Sequence, residues 1–341
     1  VDYTYLDRVM APAREANHYT NFGPVTHQLE LALAHLWQVP QDRRVVFASS
    51  ATTALFALAG VHAAHKGRRL RFATCTFGFM ATNIGPLCDT LLCDSDAGGM
   101  LDLDAITDEV RDSVDGLIVI NMFGMNRDLS AYRRWCETHG KVLIIDNATG
   151  FGGFDRTQGY DEVVSFHHTK AWGLGEAGIA VVAAQDEALF RALSSFGTGA
   201  AEWLRFYATN AKISDFSAGL VLDRLERMPL WTAAYRAQSE RITALAVQAG
   251  LCPLSDWQKD EIHAHLPFQA ADPVLPENLP DAGLPLKKYY KPLDDRGAVA
   301  NLVFAHNMCL PVHTGMAAVS DAKISIAISN ALSGAAQRAT A

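Results

Sequence analysis

Over the first half of the chain, short runs of consecutive apolar side chains alternate with stretches whose apolar positions recur every three or four residues. RRVVFAS at 43–49 predicts a strand, and TTALFALAGVHAAHK at 52–66 predicts a helix. LRFATC at 70–75, TLLCDSD at 90–96, GLIVINMF at 116–123, KVLIIDNA at 141–148 and AGIAVVAA at 177–184 predict further strands. ATNIGPL at 81–87 reads as helical turns, and DLSAYRRWCETH at 128–139 as a helix. Strands apolar on both faces and separated by helices predict an α/β sheet covered on both sides. In such sheets ligands bind beyond the carboxyl ends of the strands, so the residues just after each run come first in a search for chemistry.

The pattern changes after about residue 225. A helix-like stretch at 230–250, LWTAAYRAQSERITALAVQAG, leads into the Pro-rich passage DPVLPENLPDAGLPLKKYYKPL, and two short segments, NMCLPV and KISIAIS, close the chain. A second, smaller domain is expected from about residue 230, and no repeat or low-complexity tract interrupts either part. With 49% apolar and only 19% charged residues, the chain has the composition of a folded globule rather than a disordered one. A net charge of −8 leaves no electrostatic footprint for nucleic acid. No apolar run approaches the roughly 20 residues of a membrane helix. The opening VDYTYLDRVMAPAR lacks the charged-then-apolar order of a signal peptide. The six cysteines are scattered, with no CxxC pair, which suits buried, reduced thiols in a cytoplasmic protein.

Three segments after predicted strands carry candidate chemistry. SSATTAL at 49–55 passes from strand to helix through small hydroxyl residues, offering free N–H groups to a phosphate. Ser and Thr are equally ordinary helix N-caps, so both readings stand. Asp146 ends the run VLIID, where a buried carboxylate is costly unless it meets a cation; a turn or cap is the alternative. SFHHTKAWGLGEAG at 165–178 places Lys170 in a small, aromatic setting in which an amine loses its proton near neutral pH and forms a Schiff base, although a surface lysine is the commoner case. His167 and His168 are adjacent, which on a strand turns them to opposite faces. His62 with His65, and His263 with His265, share faces but have no third ligand at recognisable spacing, so no metal is expected.

Taken in order, YTNFGP (19–24), SSATTAL, TFGFMATN (76–83), IIDNATGFGG (144–153), SFHHTK, GEAG, RFYATNAKISDFSAG (205–219), KKYYKPL and NMCLPVH resemble the DegT/DnrJ/EryC1/StrS family of pyridoxal-phosphate (PLP) sugar aminotransferases. The resemblance spans nearly the whole chain. It implies the aspartate-aminotransferase-like fold type I: a large PLP-binding domain over 1–229 with an N-terminal arm and a mixed, mostly parallel sheet, and a small C-terminal α/β domain over 230–341. It further implies that Lys170 carries PLP covalently and that Asp146 pairs with the pyridine nitrogen. Ala51, Thr52 and Ser165 would hold the phosphate, Phe77 would stack on the ring, and Thr149 would lie against the cofactor. Asn210 would reach the phosphate in the partner subunit of a homodimer.

The implied reaction moves an amino group from glutamate (or glutamine) to a nucleotide-linked keto-deoxy sugar. A dTDP-4-keto-6-deoxyhexose is favoured by YTNFGP and YYKPL. A protonated pyridine nitrogen makes PLP an electron sink, and neutral Lys170 shuttles the proton. Arg14, Tyr289 and His313 are polar candidates for the sugar nucleotide. The chain departs from the family pattern at Ala51 (usually Gly), Asn147 (usually Ala), Thr149 (commonly Gln or His), Lys212 (frequently Arg) and Ala177 (usually Gly). A PLP-holding sensor without turnover and a PLP-dependent sugar dehydratase are the alternative readings; Lys170, where the dehydratases carry His, argues against the second.

Overall fold

The computed structural model describes residues 1–125, 128–152, 154–257, 261–275, 279, 284 and 286–336. Gly153, which ends the 144–153 motif, and part of the Pro-rich passage lie outside them. Seven strands form a sheet: β1 (Arg43–Ala48), β2 (Phe72–Cys75), β3 (Leu91–Cys93), β4 (Gly116–Ile120), β5 (Val142–Asp146), β6 (Glu162–Ser165) and β7 (Gly178–Ala183). Their order is β1-β7-β6-β5-β4-β2-β3, with β2, β4, β5 and β6 parallel and β7 antiparallel to both its neighbours. The expected mixed, mostly parallel sheet is therefore present. A smaller antiparallel sheet joins β8 (Cys252–Pro253), β9 (His265–Gln269) and β10 (Asn307–Pro311) in the order β10-β9-β8. The helices are α1 (Tyr3–Val9), α2 (Ala11–Ala16), α3 (Pro24–Leu36), α4 (Ala51–Lys66), α5 (Asp108–Ser113), α6 (Ser130–His139), α7 (Glu187–Leu193), α8 (Asp215–Glu226), α9 (Met228–Gln248), α10 (Ala298–His306) and α11 (Asp321–Ala336). KISIAIS, which alternates like a strand, lies inside α11.

The contacts divide the chain into two units. The first comprises Val1–Thr74, Met80–Leu91 and Ile106–Met228; the second comprises Cys75–Phe79, Leu92–Ala105 and the chain from Pro229 onward. In the first, α4 connects strands through the middle of the core. Every residue from Ala54 to Val61 is buried, so this helix is apolar all round rather than striped. It starts in a capping box made by Ser50 and Thr53 and stops at Gly67, whose φ of +67° is the usual left-handed helix end. Asp215, at the start of α8, caps a different helix. Its buried carboxylate accepts from Val25 and Thr26 N–H at 3.0 Å each and from the Thr26 hydroxyl at 2.6 Å, anchoring the 19–24 motif.

In the second unit, Thr76 Oγ1 donates to Asp294 at 3.0 Å and Asp94 caps α10 through Ala300 N–H at 2.9 Å. Arg241 on α9 binds Asp321 at the start of α11 at 2.7 Å. All six cysteines are free. Four are buried as expected, but Cys88 and Cys252 are exposed, because each sits at an element end rather than within the apolar run beside it. Among the described residues no helix is long and apolar enough to cross a membrane.

Candidate active site

Strands β4, β5 and β6 run in one direction, and β1 shares it because β1 and β6 are each antiparallel to β7. The carboxyl ends of these four strands therefore meet along one edge of the sheet. The register confirms it: Gly178 on β7 lies opposite both Ala48 on β1 and Ser165 on β6. The residues that follow the strands, Ser49–Thr53, Asn121, Asp146–Thr149 and Ser165–Lys170, are thus gathered from distant parts of the sequence.

Lys170 sits in the loop joining β6 to β7. The loop is closed by hydrogen bonds from Phe166 N–H to Ala177 O and from His168 N–H to Gly175 O, both 2.8 Å. Trp172, fully buried, pins it from below: its indole N–H donates to Ser165 O at 2.7 Å and its ring stacks on Phe151 with centroids 5.1 Å apart. The expectation that His167 and His168 turn to opposite faces does not hold. β6 ends at Ser165, the strand alternation ends with it, and the two rings lie 4.2 Å apart in a turn. His167 Nδ1 lies 2.8 Å from Thr169 Oγ1. His62 and His65 each meet a carboxylate at 2.8 Å, Asp161 and Asp186 respectively, and buried His263 lies 3.3 Å from Glu261.

Asp146 is buried at the tip of β5, its carboxylate accepting from Ala148 N–H at 3.1 Å. Burial pushes this carboxyl up to about 6, against the downward pull of the Ala148 N–H and of the Lys170 charge. Lys170 is displaced in the complementary direction: burial lowers its pKa, and the Asp146 charge only partly restores it. The two groups act on one another across the sheet edge. The site thus holds an amine eased toward its neutral, nucleophilic form beside a carboxylate that lacks a full counter-charge.

At the start of α4 the capping alternative of the sequence reading holds for Ser50 and Thr53. Ser50 Oγ accepts from Thr53 N–H at 3.2 Å, and Thr53 Oγ1 accepts from Ser50 N–H at 3.1 Å, so these two residues cap the helix. Ala51 and Thr52 take no part in that box; they belong to the first turn, whose N–H groups have no intrahelical acceptors. Gly178 permits this approach, since a Cβ there would lie 2.1 Å from Ala51 N. Gly178→Ala is expected to destabilise the protein by about 1–3 kcal/mol through overpacking. It should also weaken binding of a phosphorylated ligand by displacing the α4 start. Thermal unfolding and ligand titration read the two effects separately, and unchanged affinity would remove the α4 start from the phosphate role.

Ser165 is buried, and its Oγ accepts from His167 N–H at 3.2 Å. Thr149 is partly buried, with its hydroxyl donating to Asn121 O at 3.4 Å. Asn147 faces away from Asp146 and donates to Glu162 at 2.8 Å. Asn210 is exposed, bridged to Ser195 and bonded to Lys212. Phe77 belongs to the second unit, where it is fully buried and meets Tyr290 edge to face at 6.4 Å. Arg14 pairs with Asp7 at 2.9 Å, Tyr289 lies edge to face with His265 at 5.5 Å, and His313 is exposed. Sequence reasoning missed Asn121, Arg156, Glu162 and Gly178. The glycine of GEAG is the only one of these that a motif had flagged.

A buried amine, a buried carboxylate at a strand tip and a helix start flanked by Thr52 and Ser165 form a donor set that fits a phosphorylated aromatic aldehyde with a basic ring nitrogen. Two Mycobacterium tuberculosis proteins, MT3510 and Rv3402c, are each 27% identical over 227 residues, 62% of this chain; the chain spans about half (54%) the length of these curated relatives. The structure of DesI with its TDP-sugar product superposes with a TM-score of 0.81 at 21% identity, covering 100% of this chain and 93% of that one. Helicobacter pylori PseC, an aminotransferase of pseudoaminic acid biosynthesis, gives 0.77 at 15% identity, covering 97% and 96%. At these identities the structural likenesses establish the fold, PLP-dependent transferase fold type I. With its family profile matched over residues 6–339, the chain belongs to the DegT/DnrJ/EryC1/StrS aminotransferase family of PLP-dependent enzymes, and its cofactor is pyridoxal 5'-phosphate.

Proposed function

We propose that this protein transfers an amino group from glutamate, or glutamine, to a nucleotide-linked keto-deoxy sugar, with a dTDP-4-keto-6-deoxyhexose as the favoured acceptor. The observation that carries the reading is the buried Lys170–Asp146 couple at the carboxyl edge of the sheet. When bound, PLP supplies an electron-withdrawing ring that accommodates the electron pair left on a substrate carbon. Lys170 Nζ would hold the cofactor through its aldehyde group and, as a neutral amine, would carry the proton between carbons. Burial supports that role because it keeps the amine from being locked in its protonated form. Asp146 supplies the negative charge that keeps the ring nitrogen protonated, and that cation in turn offsets the cost of burying the carboxylate. Ala51, Thr52 and Ser165 would take the phosphate, Thr149 would lie against the cofactor and, by the family resemblance, Phe77 would stack on its ring.

The acceptor class rests on the motifs and on kinship with sugar aminotransferases, DesI having been solved with a TDP-sugar product. We assign residues 1–229 to a PLP-binding domain and the remainder to a small domain, in a cytoplasmic homodimer whose Asn210 serves the partner's phosphate site. The exposure of Asn210 in the single chain supports that last assignment. The test is incubation of the PLP-loaded protein with glutamate, and separately with glutamine, together with a dTDP-4-keto-6-deoxyhexose or a keto sugar of another class. A dTDP-aminosugar identified by mass spectrometry is the expected product. Transfer only to a keto sugar of another class would overturn the acceptor assignment, and no transfer from either donor would favour a sensor.

A further inference from the structure

Beside Asp146, linking the ends of β4, β5 and β6, lies a chain of buried polar groups. The Asn147 side chain accepts from Asn121 Nδ2 at 3.0 Å and donates to Glu162 Oε2 at 2.8 Å. Glu162 accepts from Arg156 Nε at 2.6 Å, and both members of this ion pair are almost completely buried. Arg156 then returns to the loop after β5, donating to Phe151 O at 3.0 Å and Gly150 O at 3.4 Å. Its guanidinium also lies 3.9 Å from the centre of the Trp37 ring. The circuit begins one residue after Asp146 and ends on the residues that follow Thr149.

Two glycines show how closely the loop is held against this circuit. A Cβ at Gly150 would fall 2.0 Å from Asn147 Oδ1, and one at Gly124, whose φ is +73°, would fall 2.3 Å from Thr149 O. The segment 147–150 is therefore clamped between the Asn147 amide and the turn after β4. A buried ion pair is a poor source of net stability, since an apolar pair of similar volume commonly serves as well or better. What an apolar pair lacks is direction, namely the donors that fix two loop carbonyls and the acceptor that fixes Asn147.

We propose that Asn147, Glu162 and Arg156 are positioning residues, a polar brace that holds the Asp146–Gly150 segment so that Asp146 and Thr149 stay aimed at the cofactor. The proposal rests on the functional reading above and deepens it.

The test replaces the ion pair by apolar residues in Arg156→Met/Glu162→Leu, with Asn147→Ala as a single change that leaves the ion pair in place. In apo-protein, amide hydrogen exchange over 147–151 should accelerate about tenfold or more while exchange in α4 is unaltered, because local bonds and not global stability have been lost. The double variant should keep or raise its Tm. Both variants should bind PLP about tenfold more weakly than the parent, measured by equilibrium dialysis. In turnover the loss should fall mainly on kcat, with KM for glutamate little changed. Folded variants with parental exchange at 147–151 and parental PLP affinity would overturn the brace. Acceleration equally in α4, with a lowered Tm, would show these residues to be merely structural, and would also overturn it. A parent protein that binds no PLP would instead overturn the functional reading.

Discussion

Lys170→Ala is expected to lower amino transfer by roughly 10⁴-fold or more, the upper end of what a positioned acid–base group contributes, while the protein still folds. The loop that carries Lys170 is shaped by its backbone hydrogen bonds and by Trp172, none of which involves the amine. Burial opposes the lysine's charge, so truncation removes a strained group rather than stranding a satisfied one. The variant should still take up PLP through the phosphate and ring contacts, but without a covalent link. Borohydride reduction should fix the cofactor to Lys170 in the parent and to no residue in the variant. If Asn210 serves the partner's site, mixing Lys170→Ala with an inactive Asn210→Ala protein should restore part of the activity, because some mixed dimers then carry one intact site. Normal turnover by Lys170→Ala would remove this lysine from the mechanism, and failure of two folded, dimeric variants to complement would return Asn210 to a local role.

Asp146→Asn should separate binding from catalysis. Its side chain is nearly isosteric, so PLP should remain bound, but the ring nitrogen loses the charge that keeps it protonated. We expect kcat to fall by about 10³-fold, the scale of losing one preorganised electrostatic partner. The same substitution has an opposite effect on the stability of apo-protein. A carboxyl raised from its ordinary 3.8 to about 6 by folding binds more protons in the native than in the unfolded state between those values. Parent stability is therefore highest with Asp146 protonated and falls as pH rises from about 4 through 6. A shift of this size corresponds to about 3 kcal/mol. Asparagine carries no such charge, so apo Asp146→Asn should be up to about 3 kcal/mol more stable than the parent at pH 8 and equal to it below pH 4. Denaturant titrations at the two pH values measure the difference. Equal stability at pH 8 would mean that Asp146 is not strained, and an unchanged kcat would exclude it from the chemistry.

Asp146 was legible in the sequence because it ends a continuous apolar run, and such runs mark parallel strands whose ends carry ligands; Lys170 was legible through the composition of SFHHTKAWGLGEAG around it. The α4 start was half legible. SSATT signals both a cap and an anion site, and the cap falls to Ser50 and Thr53 only once the helix start is placed. β6, four residues long, escaped notice because EVVS is too short and too polar at its ends to show a period. That omission carried over to His167 and His168, whose geometry depends on where β6 stops. Asn147 was noticed as a departure, but a side chain's face is set by the strand register, and its partners Asn121 and Glu162 come from neighbouring strands. No local pattern encodes such a circuit. Gly178 was visible in GEAG, yet its reason, the close approach of Ala51 N, belongs to the β1–β7 pairing.

PLP held on Lys170 and converted to its amine form by a donor changes its absorption at each stage. The most direct measurement is the visible spectrum of the PLP-loaded protein before and after glutamate is added, repeated with glutamine. A visible band from the lysine-linked aldehyde form, absent in Lys170→Ala, is expected to disappear with the donor as the amine form of the cofactor appears. A band that persists unchanged with both donors, or no band in the parent protein, would contradict the proposed transfer.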